Sequence, residues 1–148
     1  MSGAIGKSER ETQERVIALF KGQLDYTYLG DFQKREGNSN IEDALLIKNL
    51  RARGFADGVI HRAVTQLKDA ANNPQQDLYE RNMAVYKLLR YSAKVRPSAS
   101  EPHLNVNFID WDNPLANDFA IAEEVTLDKS DSHTRRPDLV LYLSLIHI

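Results

Sequence analysis

The feature that most constrains the fold is an unbroken apolar run entered through a Pro-Asp pair, Pro137-Asp138-Leu139-Val140-Leu141-Tyr142. Such a run is typical of a strand that is buried on both faces. Proline is tolerated at a strand entrance because its missing N–H breaks no ladder bond there. Asp138 then lies at the mouth of the strand. Its carboxylate is either a turn group that caps the local backbone or a ligand for a hard cation such as Mg²⁺.

The hydrophobic period changes from helical to alternating near Pro102, and this change predicts the order of the elements. A capping box, Ser8-Glu9-Arg10-Glu11, begins an N-terminal helix. Tyr26 to Leu29 is either an edge strand or a loop. We predict a three-helix insertion and then a small sheet against which the N-terminal helix packs, in an α/β or α+β fold. The insertion spans about 40–92, and the strands lie near 103–110, 118–127 and 137–143.

Three acidic residues outside the Pro-Asp pair are also candidates for a structural or a functional role. Glu9 and Glu11 lie in the first turn of the N-terminal helix, where acids also favour the helix dipole. Glu123 falls on the apolar face of the predicted 118–127 strand. A carboxylate on such a face must be paired, protonated or bound to a metal, because an unpaired buried charge is very costly. The alternative for Glu123 is that the end of the strand is solvated.

Composition limits the class of protein. The chain has 148 residues, enough for one domain, and a net charge of −2, so no global basic field indicates nucleic acid. Cysteine is absent and the four histidines are scattered, which argues against disulfides and zinc. We find neither a membrane span nor a signal peptide in the sequence, and we expect a cytoplasmic protein. The tyrosines of the last inserted helix (Tyr79, Tyr86, Tyr91) are interpreted as amphipathic packing, and the basic lean of the insertion as a solvated face.

Four stretches together resemble, in family order, the N-terminal part of the restriction (R) subunit of type I restriction–modification enzymes. The resemblance covers nearly all of residues 1–142. The stretches are Ile5-Gly6-Lys7-Ser8-Glu9-Arg10-Glu11-Thr12-Gln13; Arg35-Glu36-Gly37-Asn38-Ser39-Asn40-Ile41-Glu42; Phe108-Ile109-Asp110-Trp111 with Asn113-Pro114 and Asn117-Asp118-Phe119; and Glu123-Glu124-Val125-Thr126-Leu127 before Arg136-Pro137-Asp138.

The resemblance implies a nuclease with the PD-(D/E)XK restriction-endonuclease core. Its first acid, a Mg²⁺ ligand, corresponds to Asp138, and Glu9 is the nearest match to an acid on the first helix, with Glu11 as the alternative. The second acid and a lysine are expected on the next strand, in a Glu-x-Lys motif that these 148 residues do not contain. The full R subunit is expected to use ATP in a separate motor domain and to cleave unmethylated double-stranded DNA. It acts together with modification and specificity subunits.

The last six residues, 143–148, depart from the family pattern and resemble the translation of a sequencing adapter, so His147 is given no function. We therefore expect residues 1–142 to be a truncated, partial endonuclease domain that is inactive alone. One competing interpretation is a non-catalytic DNA- or partner-binding module, in which the helical insertion is the working surface and Asp138 is structural. Another is an unrelated metal-dependent nuclease or helicase-associated protein.

Overall fold

The structure is a computed structural model that describes residues 8–127 and 135–144, and it has an α+β fold. The chain divides into two compact units, one containing residues up to Ile41 together with those from Asp118 onward, the other containing Glu42–Asn117. In the described ranges no helix is both long and apolar enough to cross a membrane. The elements in chain order are α1 (Glu9–Gly22), β1 (Thr27–Asp31), α2 (Asp43–Ala52), α3 (Asp57–Asn72), α4 (Leu78–Tyr91), β2 (Ala93–Val95), β3 (Leu104–Val106), a 3-10 turn (Pro114–Ala116), β4 (Phe119–Glu123) and β5 (Leu139–Leu143).

Helix α1 begins at the predicted capping box. Ser8 Oγ accepts a hydrogen bond from the Glu11 backbone N–H at 3.3 Å, and the Glu11 carboxylate accepts from the Ser8 N–H at 3.0 Å. These two bonds satisfy donors that a helix N-terminus otherwise leaves unpaired. Ile17 is buried on the inner face of α1, and the helix contacts β1, so the predicted packing of this helix against a sheet is confirmed.

The sheet of this first unit has the strand order β1-β4-β5, with β1 parallel and β5 antiparallel to β4. The predicted burial of its strands is wrong in two respects. Strand β4, expected to bury one face, is the central strand and has buried residues on both faces, including Ala120 and Ile121. Strand β5, expected to be buried on both faces, buries Val140 and Tyr142 and leaves Leu141 exposed. The reason is position, since β5 is an edge strand of the described sheet.

The second unit combines the three inserted helices with a short hairpin. Helix α3 packs against α2, α4 and β2, and it buries Ile60, Ala63 and Leu67. The strand predicted at 103–110 is shorter than expected and does not belong to the β1-β4-β5 sheet. Residues 104–106 pair antiparallel with β2 in a separate two-stranded sheet, because the chain turns back after α4 and offers Ala93–Val95 as a local partner. The third strand of the main sheet is instead β1, at the segment that the sequence left between strand and loop.

Two further predictions have different outcomes. The tyrosines of α4 are not packed in a core, because their side chains point to solvent at the outer side of the helix and Tyr79 and Tyr91 are about seven-tenths exposed (71% and 70%). Of the predicted adapter-derived tail at 143–148, only two residues are described. Leu143 pairs with Phe119, and the Ser144 N–H donates to the Asp118 carbonyl at 2.7 Å. Residues 145–148 lie outside the described ranges, and the adapter origin stays a prediction.

Candidate active site

Acidic residues meet at one end of the strands of the β1-β4-β5 sheet, where β1 and β4 finish and β5 begins. Asp31 and Glu123 end the parallel strands β1 and β4 and are register partners. Glu123 is also the partner of Leu139, the first residue of the antiparallel strand β5. Asp138, immediately before Leu139, therefore lies at the same end of the strands. The topology thus places three carboxyl-bearing positions, from three separate parts of the sequence, at one end of the sheet.

Glu123 is almost completely buried, at 3% exposure, and both oxygens of its carboxylate accept hydrogen bonds. Its Oε1 accepts from the Tyr28 hydroxyl at 3.1 Å and from Arg10 Nη2 at 3.4 Å. Its Oε2 accepts from Gln13 Nε2 at 3.3 Å. A buried carboxylate is tolerated when it is paired and hydrogen-bonded in this way. Of the three possibilities for Glu123 on an apolar face (paired, protonated or metal-bound), the structure shows a paired carboxylate, and the alternative of a solvated strand end is wrong.

The groups around Glu123 have altered proton affinities. Burial raises the pKa of the Tyr28 hydroxyl, and the hydrogen bond to the Glu123 carboxylate raises it further. The pKa of Arg10 is raised by its hydrogen bond to Glu14 and by the negative charge of Glu123. Tyr28 therefore remains a neutral donor and Arg10 a permanent cation beside Glu123 at neutral pH. Both side chains also line a shallow cleft between α1 and β1.

The backbone of the Pro-Asp pair is fixed to β4 and α1. The Asp138 carbonyl accepts from the Glu124 N–H at 2.9 Å and from Gln13 Nε2 at 3.3 Å. The Pro137 carbonyl accepts from the Val125 N–H at 3.2 Å. Beside them, Arg136 Nε lies 2.8 Å from the Glu124 carboxylate. Hydrogen bonds from Gln13 on α1 and from Glu124 and Val125, which follow β4, therefore hold the entrance of β5 in place.

The Asp138 carboxylate contrasts with its own backbone. Asp138 is exposed, and within residues 8–127 and 135–144 its side chain forms neither a hydrogen bond nor an ion pair. A turn-capping aspartate would accept a bond from a nearby backbone N–H, and no such bond is present in the described part of the chain. Of the two interpretations that the sequence left open, the geometry favours a carboxylate that is available to a ligand.

Glu9 and Glu11 lie on the first turn of α1 and are exposed. Glu11 closes the capping box with Ser8, so its carboxylate already has a structural role. Glu9 is one helical turn before Gln13, which places it on the same side of α1 as the amide that reaches Asp138. No contact within the described residues joins Glu9 to Asp138. The two residues are brought to the same region through Gln13 rather than to one another.

The sequence argument missed the roles of Gln13, Tyr28 and Arg10. Gln13 Nε2 lies within 3.4 Å of a Glu123 oxygen, a Glu124 oxygen and the Asp138 carbonyl oxygen, so it links α1 to β4 and to the entrance of β5. One signal for it was present. Gln13 occupies an apolar face four residues after Glu9, and a polar residue on such a face needs a buried partner.

Asp138 fits one ligand position of a Mg²⁺ site. Asp138 offers a free, hard carboxylate oxygen, which is the kind of ligand that Mg²⁺ prefers. Glu123 already accepts hydrogen bonds from Tyr28, Arg10 and Gln13. Across the described ranges, no group of three or more Asp, Glu, His or Cys side chains could together hold a metal ion. A complete site would require further ligands beside Asp138.

One of three comparisons with known proteins gives a match. Searches of curated proteins and of solved structures give no significant match. One protein family matches, described as the N terminus of the type I restriction enzyme R protein, and its match spans residues 6–148. The matched region contains α1, the sheet and the Pro-Asp entrance of β5. Because the match covers nearly the whole chain, this protein belongs to the type I restriction enzyme R protein N-terminal family.

Proposed function

We propose that this chain forms part of the nuclease domain of a type I restriction R subunit, with Asp138 as a metal-ligating acid. The observation that carries the proposal is the contrast at Asp138. Its backbone is held by Glu124 and Gln13, while its carboxylate is exposed and unpaired among the described residues. A fixed backbone with a free carboxylate is what a metal ligand requires, because preorganisation lowers the cost of assembling the site.

In this proposal the residues around Asp138 have separate tasks. Asp138 binds Mg²⁺, and Glu9 is the candidate acid from α1. Gln13 positions the Asp138 backbone, and Glu123 with Tyr28 and Arg10 secures Gln13 in turn. Bound Mg²⁺ would polarise the scissile phosphate and lower the pKa of a water molecule. The Glu-x-Lys acid and lysine that the family resemblance implies are to be supplied by a strand after β5.

The full R subunit would cleave unmethylated double-stranded DNA in an ATP-dependent reaction, in complex with the modification and specificity subunits. ATP would bind in the motor domain, and the specificity subunit would read the recognition sequence. We place the complex in the cytoplasm, where its DNA substrate enters the cell. The support for these partners is membership of the family.

The proposal predicts different behaviour for two proteins. The 148-residue chain contains no Glu-x-Lys sequence after Asp138. We therefore expect the purified chain to leave DNA intact with Mg²⁺ and ATP. An R subunit that carries this chain, a following Glu-x-Lys strand and the motor should cleave unmethylated DNA once the other two subunits are added.

Gene sequence downstream of Tyr142 gives the first control, since it must encode Glu-x-Lys within about one hairpin length, followed later by a GxxxxGK[ST] loop. If neither motif is present, the non-catalytic binding module becomes the better interpretation. Strong Asp138-dependent cleavage by the 148-residue chain would also contradict the proposed division of the site.

A further inference from the structure

Helix α4 presents an exposed aromatic and basic face that no residue role assigned above uses. Tyr79, Met83, Tyr86 and Arg90 follow one another at helical spacing on the side of α4 that faces away from α3. Tyr79 and Tyr86 are 71% and 55% exposed, whereas Leu89 of the same helix is buried. Large exposed aromatic patches on a folded unit mark interaction surfaces more often than chance placement.

The segment that carries this face is more basic than the chain as a whole, although Asp77 precedes it and Asp110 and Asp112 flank Trp111. Residues 78–96 contain five cations and a single acid, Glu80, in a protein whose net charge is −2. Glu80 lies in the first turn of α4, where it closes a capping box with Asp77. Of the five cations, Lys87 and Arg90 are exposed beside the aromatic residues, whereas Arg81 lies on the other side of α4 and Lys94 and Arg96 lie on or directly after β2. A polyanion is the partner that such a local excess attracts.

Arg90 joins the charge to the aromatic rings. Its guanidinium lies 5.7 Å from the centre of the Tyr91 ring and 5.4 Å from the centre of the Trp111 ring. Trp111 is held in place by its indole N–H, which donates to the Leu89 carbonyl at 3.0 Å, and the residue remains 49% exposed. Exposed π faces next to cations are the combination with which proteins bind unpaired bases and the phosphates between them.

We propose that this surface (Tyr79, Met83, Tyr86, Lys87, Arg90, Tyr91 and Trp111) binds single-stranded nucleic acid. Bases stack on Tyr79 and Tyr86, which lie about 10 Å apart along the helix, while Lys87 and Arg90 contact the phosphates. The inference does not depend on the nuclease assignment, because every residue of the surface lies within Glu42–Asn117 and none is proposed for catalysis. Duplex DNA and a protein partner are the competing occupants.

The test uses the 148-residue chain and a fluorescein-labelled thymidine oligonucleotide of about 16 nucleotides. Trp111 is the single tryptophan, so its fluorescence reports on this surface without a label. We expect saturable anisotropy changes with parallel quenching of Trp111. Tyr86→Leu should weaken binding by about tenfold, because stacking on one aromatic ring is lost, whereas Tyr86→Phe should bind like the wild type. Lys87→Gln should weaken binding and lower the dependence of log affinity on log salt by about 0.7.

Lys48→Gln is the matched charge control, since Lys48 is exposed on α2 in the same unit. It should change neither the affinity nor the salt dependence. Circular dichroism and melting temperature check that each variant is folded. The proposal is overturned by absent binding at low salt, by equal losses in Lys48→Gln and Lys87→Gln, or by duplex binding as tight as single-strand binding with no effect of Tyr86→Leu. Self-association that buries Trp111 without nucleic acid would overturn it as well.

Discussion

Gln13 on α1 donates a hydrogen bond of 3.3 Å to Glu123 at the end of β4, across 110 residues of sequence. The same amide nitrogen reaches the Asp138 carbonyl at 3.3 Å. One side chain thus connects the first helix with the central strand and with the entrance of β5. The candidate acid Asp138 depends on this connection for its backbone position, although its own carboxylate forms no part of it.

Removing the Gln13 amide should destabilise the protein. Gln13→Ala leaves Glu123 buried with one donor fewer and frees one of the two bonds to the Asp138 carbonyl. A buried acceptor that loses its partner costs about 1–3 kcal/mol. Urea unfolding followed by circular dichroism measures the change. Gln23→Ala is the control, because Gln23 is exposed at the end of α1 and its loss should change the free energy of unfolding by less than about 0.5 kcal/mol. Equal effects of the two substitutions would contradict the role given to Gln13.

Coupling between Gln13 and Glu123 should be directly measurable. In a double-mutant cycle with Gln13→Ala and Glu123→Ala, the two effects should be non-additive by about 0.5–3 kcal/mol, as expected for residues in one hydrogen-bond network. A parallel cycle with Gln23→Ala and Glu123→Ala should be additive within about 0.5 kcal/mol. Additivity in the first cycle would mean that the 3.3 Å contact does not contribute to stability.

Stability at alkaline pH should depend on Tyr28. Burial and the Glu123 hydrogen bond raise the pKa of Tyr28 in the folded protein above its unfolded value of about 10. The stabilisation is therefore complete below about pH 10 and is lost as the pH rises through the folded pKa. Tyr28→Phe has no proton to lose, so its disadvantage relative to the wild type should stay constant from about pH 8 to about pH 9 and shrink from about pH 10 to about pH 11.

Urea unfolding at several pH values measures this difference. Tyr26→Phe, which retains Tyr28, should keep the alkaline loss seen in the wild type. A constant difference between wild type and Tyr28→Phe across this range would contradict the proposed contact between Tyr28 and Glu123.

Sequence reasoning predicted those parts of the fold that depend on local pattern. The capping box at Ser8 is confirmed because both of its bonds lie within one helical turn. That Glu123 is paired, protonated or metal-bound was predicted from a single fact, a carboxylate on an apolar face, and the structure shows that it is paired. The identity of its partners could not be predicted, since Tyr28 and Gln13 are 95 and 110 residues away and only the tertiary fold brings them together.

Strand pairing was the least predictable part. An apolar run such as Leu139–Leu143 has the same composition whether it forms a central strand or an edge strand of a sheet. Its position is decided by which other segments pair, and here β4 takes the centre because β1 joins its other side. Likewise, residues 104–106 alternate as a strand should, but alternation does not say which partner they choose. The tyrosines of α4 were assigned to packing because helical spacing does not distinguish an inner from an outer face.

The most direct test of the account is Asp138→Ala in a complete R subunit that contains this chain, assembled with its modification and specificity subunits. Cleavage of unmethylated DNA, ATP hydrolysis and melting temperature are measured on the same preparation, with Asp112→Ala, another exposed aspartate, as the control. The account predicts that Asp138→Ala abolishes cleavage while ATP hydrolysis and melting temperature stay at the wild-type level, and that Asp112→Ala retains all three. A protein with Asp138→Ala that still cuts DNA, with or without a lower melting temperature, would contradict the assignment of Asp138 as the metal-ligating acid.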